Sequence, residues 1–427
     1  MTSSREIGVP LSASEVDVST LEPDNVIDVD VSSEETRQNW FALAAEWARR
    51  PPFYVINHGI AQAVVGRYKD VKEVVLSPER FTTTPPAEAG ALLDPFMGLP
   101  TFVRRNGPEH VRLRRIIQPW FGGAGVAKVE ASIEQHVAEA MDDLEKHPNP
   151  VDLVANFSNQ LSPRIMLREM FGFDEEQRAL FVNMKKHLDS TVRLGTYTPE
   201  YVEAFTKVRA LIDETIAERE RQPRPLDFIG ALVAYRQSSG ESFTDDEIAG
   251  PVFGICVGGI QTTATETTHV VHRWMKNRAD FEVIREDAEL LPQAIEETMR
   301  IHPNSLFLTP RFVVEDTTLG GVPLLRGMPL HVCSAAANLD PEAFPDPLEF
   351  KIGRNPKQTM TFGAGPHFCV GAILARRTIA AGLRAFMNRH PNAELADPDW
   401  KPHYVGQLGE TTADSMLVNL NGASQDA

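Results

Sequence analysis

The stretch TDDEIAGPVFGICVGGIQTTATETTHVVHRWMKN, residues 244–277, constrains the fold more than any other. Thr244 and Glu247 have capping-box spacing, so a helix opens there. The apolar pattern then carries it to about Asn277, roughly 50 Å at 1.5 Å per residue. Pro251 is expected to kink this helix or end its first turns. Helical spacing recurs over 37–50, 127–147, 158–172, 199–222 and 370–390. Short strand signals lie at 51–57, in the first half of 63–75, and in the turn-rich stretch after 305. No repeat, low-complexity linker or break in composition divides the chain. The expectation is one large, mainly α domain with a small β region over 36–420. A loosely ordered acidic arm (1–35) precedes it and a short tail (421–427) follows.

The charge narrows the partners. With 42 basic against 59 acidic residues the net charge is −17, which disfavours nucleic acid and anionic membranes. Three scattered cysteines exclude a disulfide scaffold and suit a reducing compartment. The N-terminus lacks the basic start and apolar run of a signal peptide, and no window of about 18 apolar residues is read as a membrane span. The expectation is a soluble, cytoplasmic monomer.

Residues 361–371, TFGAGPHFCVG, set Cys369 among three glycines beside His367, Phe362 and Phe368. Placed at the start of the last helix, its thiol is expected to have a lowered pKa. Gly363, Gly365 and Gly371 let the backbone turn sharply and come close to the sulfur or to a flat partner. A nucleophile needs a nearby base, and zinc needs further ligands at suitable spacing, which are missing. A thiolate in such a loop suits one axial bond to iron; a structural cysteine in a glycine-rich turn is the other reading.

FGAGPHFCVGAILA resembles the haem-binding loop of the cytochrome P-450 superfamily, F-G-x-G-x-H-x-C-x-G-x-x-L-A, with Phe362, Gly363, Gly365, His367, Cys369, Gly371, Leu374 and Ala375 in place. The resemblance implies haem b with Cys369 as axial ligand. EETMR holds Glu297 and Arg300, by themselves an ordinary surface ion pair; in this order they resemble the family's E-x-x-R. Arg354, in AFPDPLEFKIGR, would complete a buried network that supports the cysteine loop. His110 and Arg114, in GPEHVRLRR, are by themselves a solvated basic face. They resemble the family's H-x-x-x-R, which binds a haem propionate, and Arg311 matches the family's other propionate arginine.

VGGIQTTATETT (257–268) reads first as a seam of small residues or a helix loosened by two glycines. Its threonines can bond back to carbonyls four residues earlier. Matched to the family's A/G-G-x-D/E-T-T, it becomes the helix over the distal haem face. Thr262 then stands for the threonine that helps deliver protons to dioxygen. Two positions depart from the pattern. Gln261 replaces an acid, and Thr378 stands where many relatives have a glutamate. Glu266, one turn beyond Thr262, is the expected substitute in a proton relay; water alone is the other reading.

The implied reaction is insertion of one oxygen atom of O2 into a hydrophobic small molecule, by hydroxylation or oxidative dealkylation. Electrons would come from a separate ferredoxin and its NAD(P)H-dependent reductase. Arg104, Arg105, Arg112 and Arg115 are expected to form the docking patch. The pocket is expected to draw on Phe96, Met97, Leu99, Gly258, Gly259, Thr262, Leu306, Phe307 and Leu308. Two alternatives keep the haem: a peroxide-driven peroxygenase or isomerase, or a non-enzymatic haem-binding sensor.

Overall fold

The computed structural model describes residues 25–57, 59–84, 96–194, 196–222, 227–240, 243–287, 289–406 and 409–422. The long helix spans Asp245–Lys276, with both hydrogen bonds of the Thr244–Glu247 capping box present. Pro251 neither ends nor interrupts it, contrary to expectation. Pro251 is buried, and beside it Gly250 lies against the 100–101 backbone, where a Cβ would stand 2.6 Å from the Pro100 carbonyl oxygen. Tertiary packing outweighs the one lost backbone bond. By length and composition this helix could span a membrane, which corrects the reading that no window could. Yet 72% of its apolar window is buried inside the protein.

Helices surround it. The last helix, Ala372–Arg389, packs on the long helix and on Gly123–Leu144. Residues 154–170 run alongside with two wider π-wound stretches around a short α-turn. Ser162 Oγ there donates to the Gly259 carbonyl at 2.6 Å. Glu175–Leu194 and Pro199–Arg221 pair with each other. A five-stranded sheet stands to one side, in the order Phe53–Asn57, Ile60–Val65, Pro329–Val332, Arg311–Val313, Phe81–Thr82. Its register sets Arg311 opposite Leu330 and Leu330 beside Ala63. The expected arm is shorter than 35 residues. Ile27 N donates to Tyr54 O at 3.0 Å, Val31 is buried, and a short helix covers Glu34–Gln38, so 25–35 belong to the packed body. Residues 1–24 and 423–427 lie outside the described residues.

One buried ion network aims the cysteine loop. Arg300 is fully buried and Glu297 nearly so. Their two parallel hydrogen bonds are both 2.8 Å long. Arg354 Nε and the Lys351 amide add donors to Glu297 Oε1 at 2.9 and 3.0 Å. Arg300 Nη1 donates to the carbonyls of Asn338 (2.7 Å) and Pro347 (2.8 Å). Asn338 in turn accepts from the Met360 amide at 2.6 Å and donates to Thr361 Oγ1 at 3.0 Å, where the loop begins. Breaking a buried pair on one side leaves an uncompensated charge, which costs about 3–5 kcal/mol. Arg300→Met is therefore expected to lower thermal stability by about 3 kcal/mol or more and to cut haem retention. Melting curves and haem-to-protein ratios check this, and a variant as stable as the parent would contradict it.

Candidate active site

The cysteine loop is a series of short backbone hydrogen bonds. Gly363 N reaches Met360 O, Phe368 N reaches Gly365 O, and Cys369 N reaches Phe362 O at 2.9 Å. Gly363 and Gly365 both have φ of +67°, where a side chain is strained. At Gly365 a Cβ would also stand 2.8 Å from the Val75 carbonyl oxygen. The last helix begins at Ala372, not at the cysteine. Cys369 lies deep in the fold, and its exposure is to an internal cavity. Burial pushes its thiol pKa up against the opposing pull of the Gly371 amide, Arg114 and Arg376. The expected lowering by the helix start is thus outweighed in the protein alone. A bound cation would reverse that balance.

The cavity measures about 420 Å³ and lies between the long helix, the cysteine loop and the sheet. Phe96, Gly258, Gly259, Thr262, Phe307, Leu308, Phe362, Gly363, His367, Cys369, Gly371, Arg114 and Arg311 all line it. Thr262 Oγ1 donates to Gly258 O at 2.7 Å, the back-bond expected from sequence. The adjacent glycines serve different ends. Gly259 faces Met166 Sδ, where a Cβ would stand 2.8 Å away, whereas one at Gly258 would meet nothing within 4 Å. Gly371 is equally open.

Other expected residues lie elsewhere. Met97 is partly exposed with φ of +50°, and Leu99 is buried in the main core. Leu306 packs in the cluster of Trp40 and Trp47, away from the cavity. Gln261 Nε2 bonds Asn159 Oδ1 at 3.3 Å and is absent from the described lining. Glu266 is buried off the cavity, and its Oε1 accepts from the amide and the side chain of Asn304 at 2.7 and 2.9 Å. Its other oxygen is 3.8 Å from His269 Nδ1. The placement is that of a helix-to-loop tie and does not support a relay from Thr262. Thr378 does line the cavity. Residues not foreseen there include Arg104, Ser162, Met166, Asn304, His331 and Glu410, none of which sits in a recognisable motif.

The expected basic patch is not a free basic surface. Arg104 is buried and lines the cavity, Arg105 pairs with Glu109 at 2.9 Å, and Arg112 pairs with Glu247. Arg115 donates to the Tyr235 hydroxyl at 3.1 Å.

The donor set fits haem. Arg311 is almost fully buried, and its Nη1 donates to the Thr309 carbonyl at 2.7 Å. Burial first, then Arg104, pushes its pKa down to about 10. Arg114 donates to Gln118 and to the Pro366 carbonyl. Neither arginine has a carboxylate partner among the described residues. His110 packs against His367 with ring centroids 4.3 Å apart and the rings tilted by 43°, and its buried Nε2 has no hydrogen-bond partner among the described residues. His367 Nε2 meets Asn106 Oδ1 at 3.0 Å. Cations gathered in this way call for a ligand with carboxylates. The open faces at Gly258 and Gly371 leave room for a flat one.

Comparison with known proteins agrees with this geometry. The family model described as Cytochrome P-450 matches residues 50–391. A mycinamicin IV hydroxylase/epoxidase of Micromonospora griseorubida is 30% identical, over 82% of this chain and 86% of its own. A steroid C26-monooxygenase of Mycobacterium tuberculosis is 27% identical, over 87% and 92%. The crystal structure of CYP109E1 from Bacillus megaterium in complex with testosterone superposes with a TM-score of 0.80 at 25% identity, covering 91% of this chain and all of that one. Motif order, fold and family match agree: the chain belongs to the cytochrome P-450 family and is an oxidoreductase that uses haem b to incorporate oxygen from O2.

Proposed function

We propose that the chain places one oxygen atom of O2 into a C–H bond, or dealkylates by the same oxidation, on a largely apolar small molecule. The other oxygen atom leaves as water, with two electrons from a ferredoxin and its reductase and two protons from solvent. The observation that carries this reading is that one cavity is bounded by Cys369, by Arg114 and Arg311, and by Thr262.

Haem b, when bound, supplies the iron and its oxygen chemistry. Cys369 Sγ would be its protein ligand, with the ion network of Glu297, Arg300 and Arg354 holding the loop that carries it. Arg114 and Arg311 would take the propionates, with His110 Nε2 as a third donor. The Thr262 hydroxyl stands on the cavity side of the long helix, where it can hold a proton for dioxygen and exchange it with water. Gln261 is turned to Asn159 and Glu266 to Asn304, so neither is assigned a proton. Phe96, Met166, Phe307 and Leu308 give the chamber an apolar wall that excludes water and orients an apolar substrate. Apolar side chains exposed near the cysteine loop (Leu76 and Ile373) are the candidate ferredoxin-docking face. The three unpaired cysteines suit the reducing cytoplasm.

The test is turnover with isotopic O2. Holoprotein with NADPH, a surrogate ferredoxin and its reductase is expected to convert members of an apolar panel to products carrying one labelled oxygen atom. Turnover with peroxide alone, and none with the electron donors, would replace this reading with a peroxygenase. Thr262→Ala is expected to leave folding and haem content intact while product formed per NADPH falls several-fold and peroxide release rises. Unchanged coupling would remove Thr262 from proton handling.

A further inference from the structure

The long helix is intrinsically weak where it borders the cavity. Gly258 and Gly259 adjoin there and both line it, and adjacent glycines give a turn little helical preference of its own. The same turn carries Thr262, so its shape decides where that hydroxyl points.

Support comes from outside the helix. Ser162 Oγ donates to the Gly259 carbonyl at 2.6 Å, from 97 positions away in the chain. Gln261 Nε2 donates to Asn159 Oδ1 at 3.3 Å. Met166 lies against Gly259, with Sδ 2.8 Å from where a Cβ would stand, so the missing side chain makes room for it. Ser162 and Met166 are both buried, and both line the cavity. All three residues come from one stretch, in which the α-turn Asn159–Ser162 stands between two π-wound pieces. Such irregular winding is frequent where a helix is shaped for function.

A serine inside a helix ordinarily bonds back to a carbonyl of its own helix. The long helix does this at Thr262, Thr267 and Thr268, which donate to the carbonyls of Gly258, Thr263 and Ala264. Ser162 gives its hydroxyl to a different helix. Two neighbouring carbonyls, those of Gly258 and Gly259, thus each accept a hydroxyl, one from within the helix and one from across. In a regular helix these carbonyls face the amides of Thr262 and Thr263. A hydroxyl that shares such a carbonyl loosens and bends the ladder locally. Gly259 and Gln261 are both held by the 159–166 segment, and Thr262 follows directly in the chain.

We propose that Ser162 is a positioning residue for Thr262, as part of a clasp of Asn159, Ser162 and Met166 that fixes the glycine turn of the long helix. Gln261, where the family pattern has an acid, serves in this clasp instead of carrying a proton. The inference rests on the role proposed for Thr262.

Single and double variants of the haem-loaded protein test it by two measurements. One is product formed per NADPH, with a panel member that the parent protein converts. The other is the infrared C–O stretching band of the reduced carbon monoxide complex, which moves with the direction of nearby hydroxyl dipoles. Ser162→Ala is expected to move the band in the same direction as Thr262→Ala. It is also expected to lower coupling about 3-fold or more, the ratio for one net hydrogen bond. Ser162→Thr keeps the hydroxyl and is expected to stay near the parent in both. Asn159→Ala cuts the longer bond and is expected to give a smaller change of the same sign; it decides the matter should Ser162→Ala fail to load haem. Added to Thr262→Ala, Ser162→Ala is expected to change neither reading further, since one residue acts through the other. A packing role alone predicts a lower melting temperature with both readings unmoved. That outcome overturns the assignment, as does an additive double variant. Parental readings in Thr262→Ala would remove Thr262 and the clasp together, whereas an effect at Thr262 with none at Ser162 or Asn159 sinks the clasp alone.

Discussion

Arg300 is among the largest fully buried side chains of the protein, and its hydrogen bonds tie together segments far apart in sequence. It fixes Glu297 within its own helix, the carbonyls of Asn338 and Pro347 beyond the sheet, and through Asn338 the entry to the cysteine loop. A guanidinium suits this task, because its planar fork of donors meets a carboxylate and several carbonyls at fixed angles. Removing such a charge from water is costly, so the network persists only because nearly every donor is matched. The loop itself has little regular secondary structure, with only a brief 3-10 turn at Gly365–His367. Its shape is held from outside by this network and from within by glycines at positive φ.

The chamber follows from what surrounds that loop. The long helix contributes Gly258 and Thr262, whose small side chains leave the space open, and the sheet brings in Arg311 on a strand paired to Leu330. Cations gather on one side, apolar groups fill most of the remaining wall, and Glu410 is the one carboxylate among the described lining residues. The cations suit a cofactor with two acids.

Much of this could be read from the chain, where the signal was local. The Thr244–Glu247 capping box, the back-bond of Thr262 to Gly258, the glycines around Cys369 and the pair Glu297–Arg300 each lie within a few residues, and the structure places them as expected. Contacts decided by distant packing were not legible. Pro251 stays in the helix because 100–101 packs beside it. Leu306 and Phe307 share the cluster of Trp40 and Trp47, yet of the two only Phe307 also lines the cavity. Arg104 and Arg112 are expected in a docking patch, but one is buried and the other pairs with Glu247. Glu266 had the right helical phase for a relay but is taken by Asn304, across the fold. Glu410 carried no pattern, since Ser305 opposite it and Lys185 behind it are brought there by distant packing.

The central claim is that Cys369 is the thiolate ligand of the haem, and the absorption spectrum of the reduced protein under carbon monoxide tests it most directly. The account predicts a strongly red-shifted Soret band, lost on Cys369→His while some haem is retained. A Soret band at the unshifted position in the unmodified protein, or a shifted band that survives loss of Cys369, would contradict it.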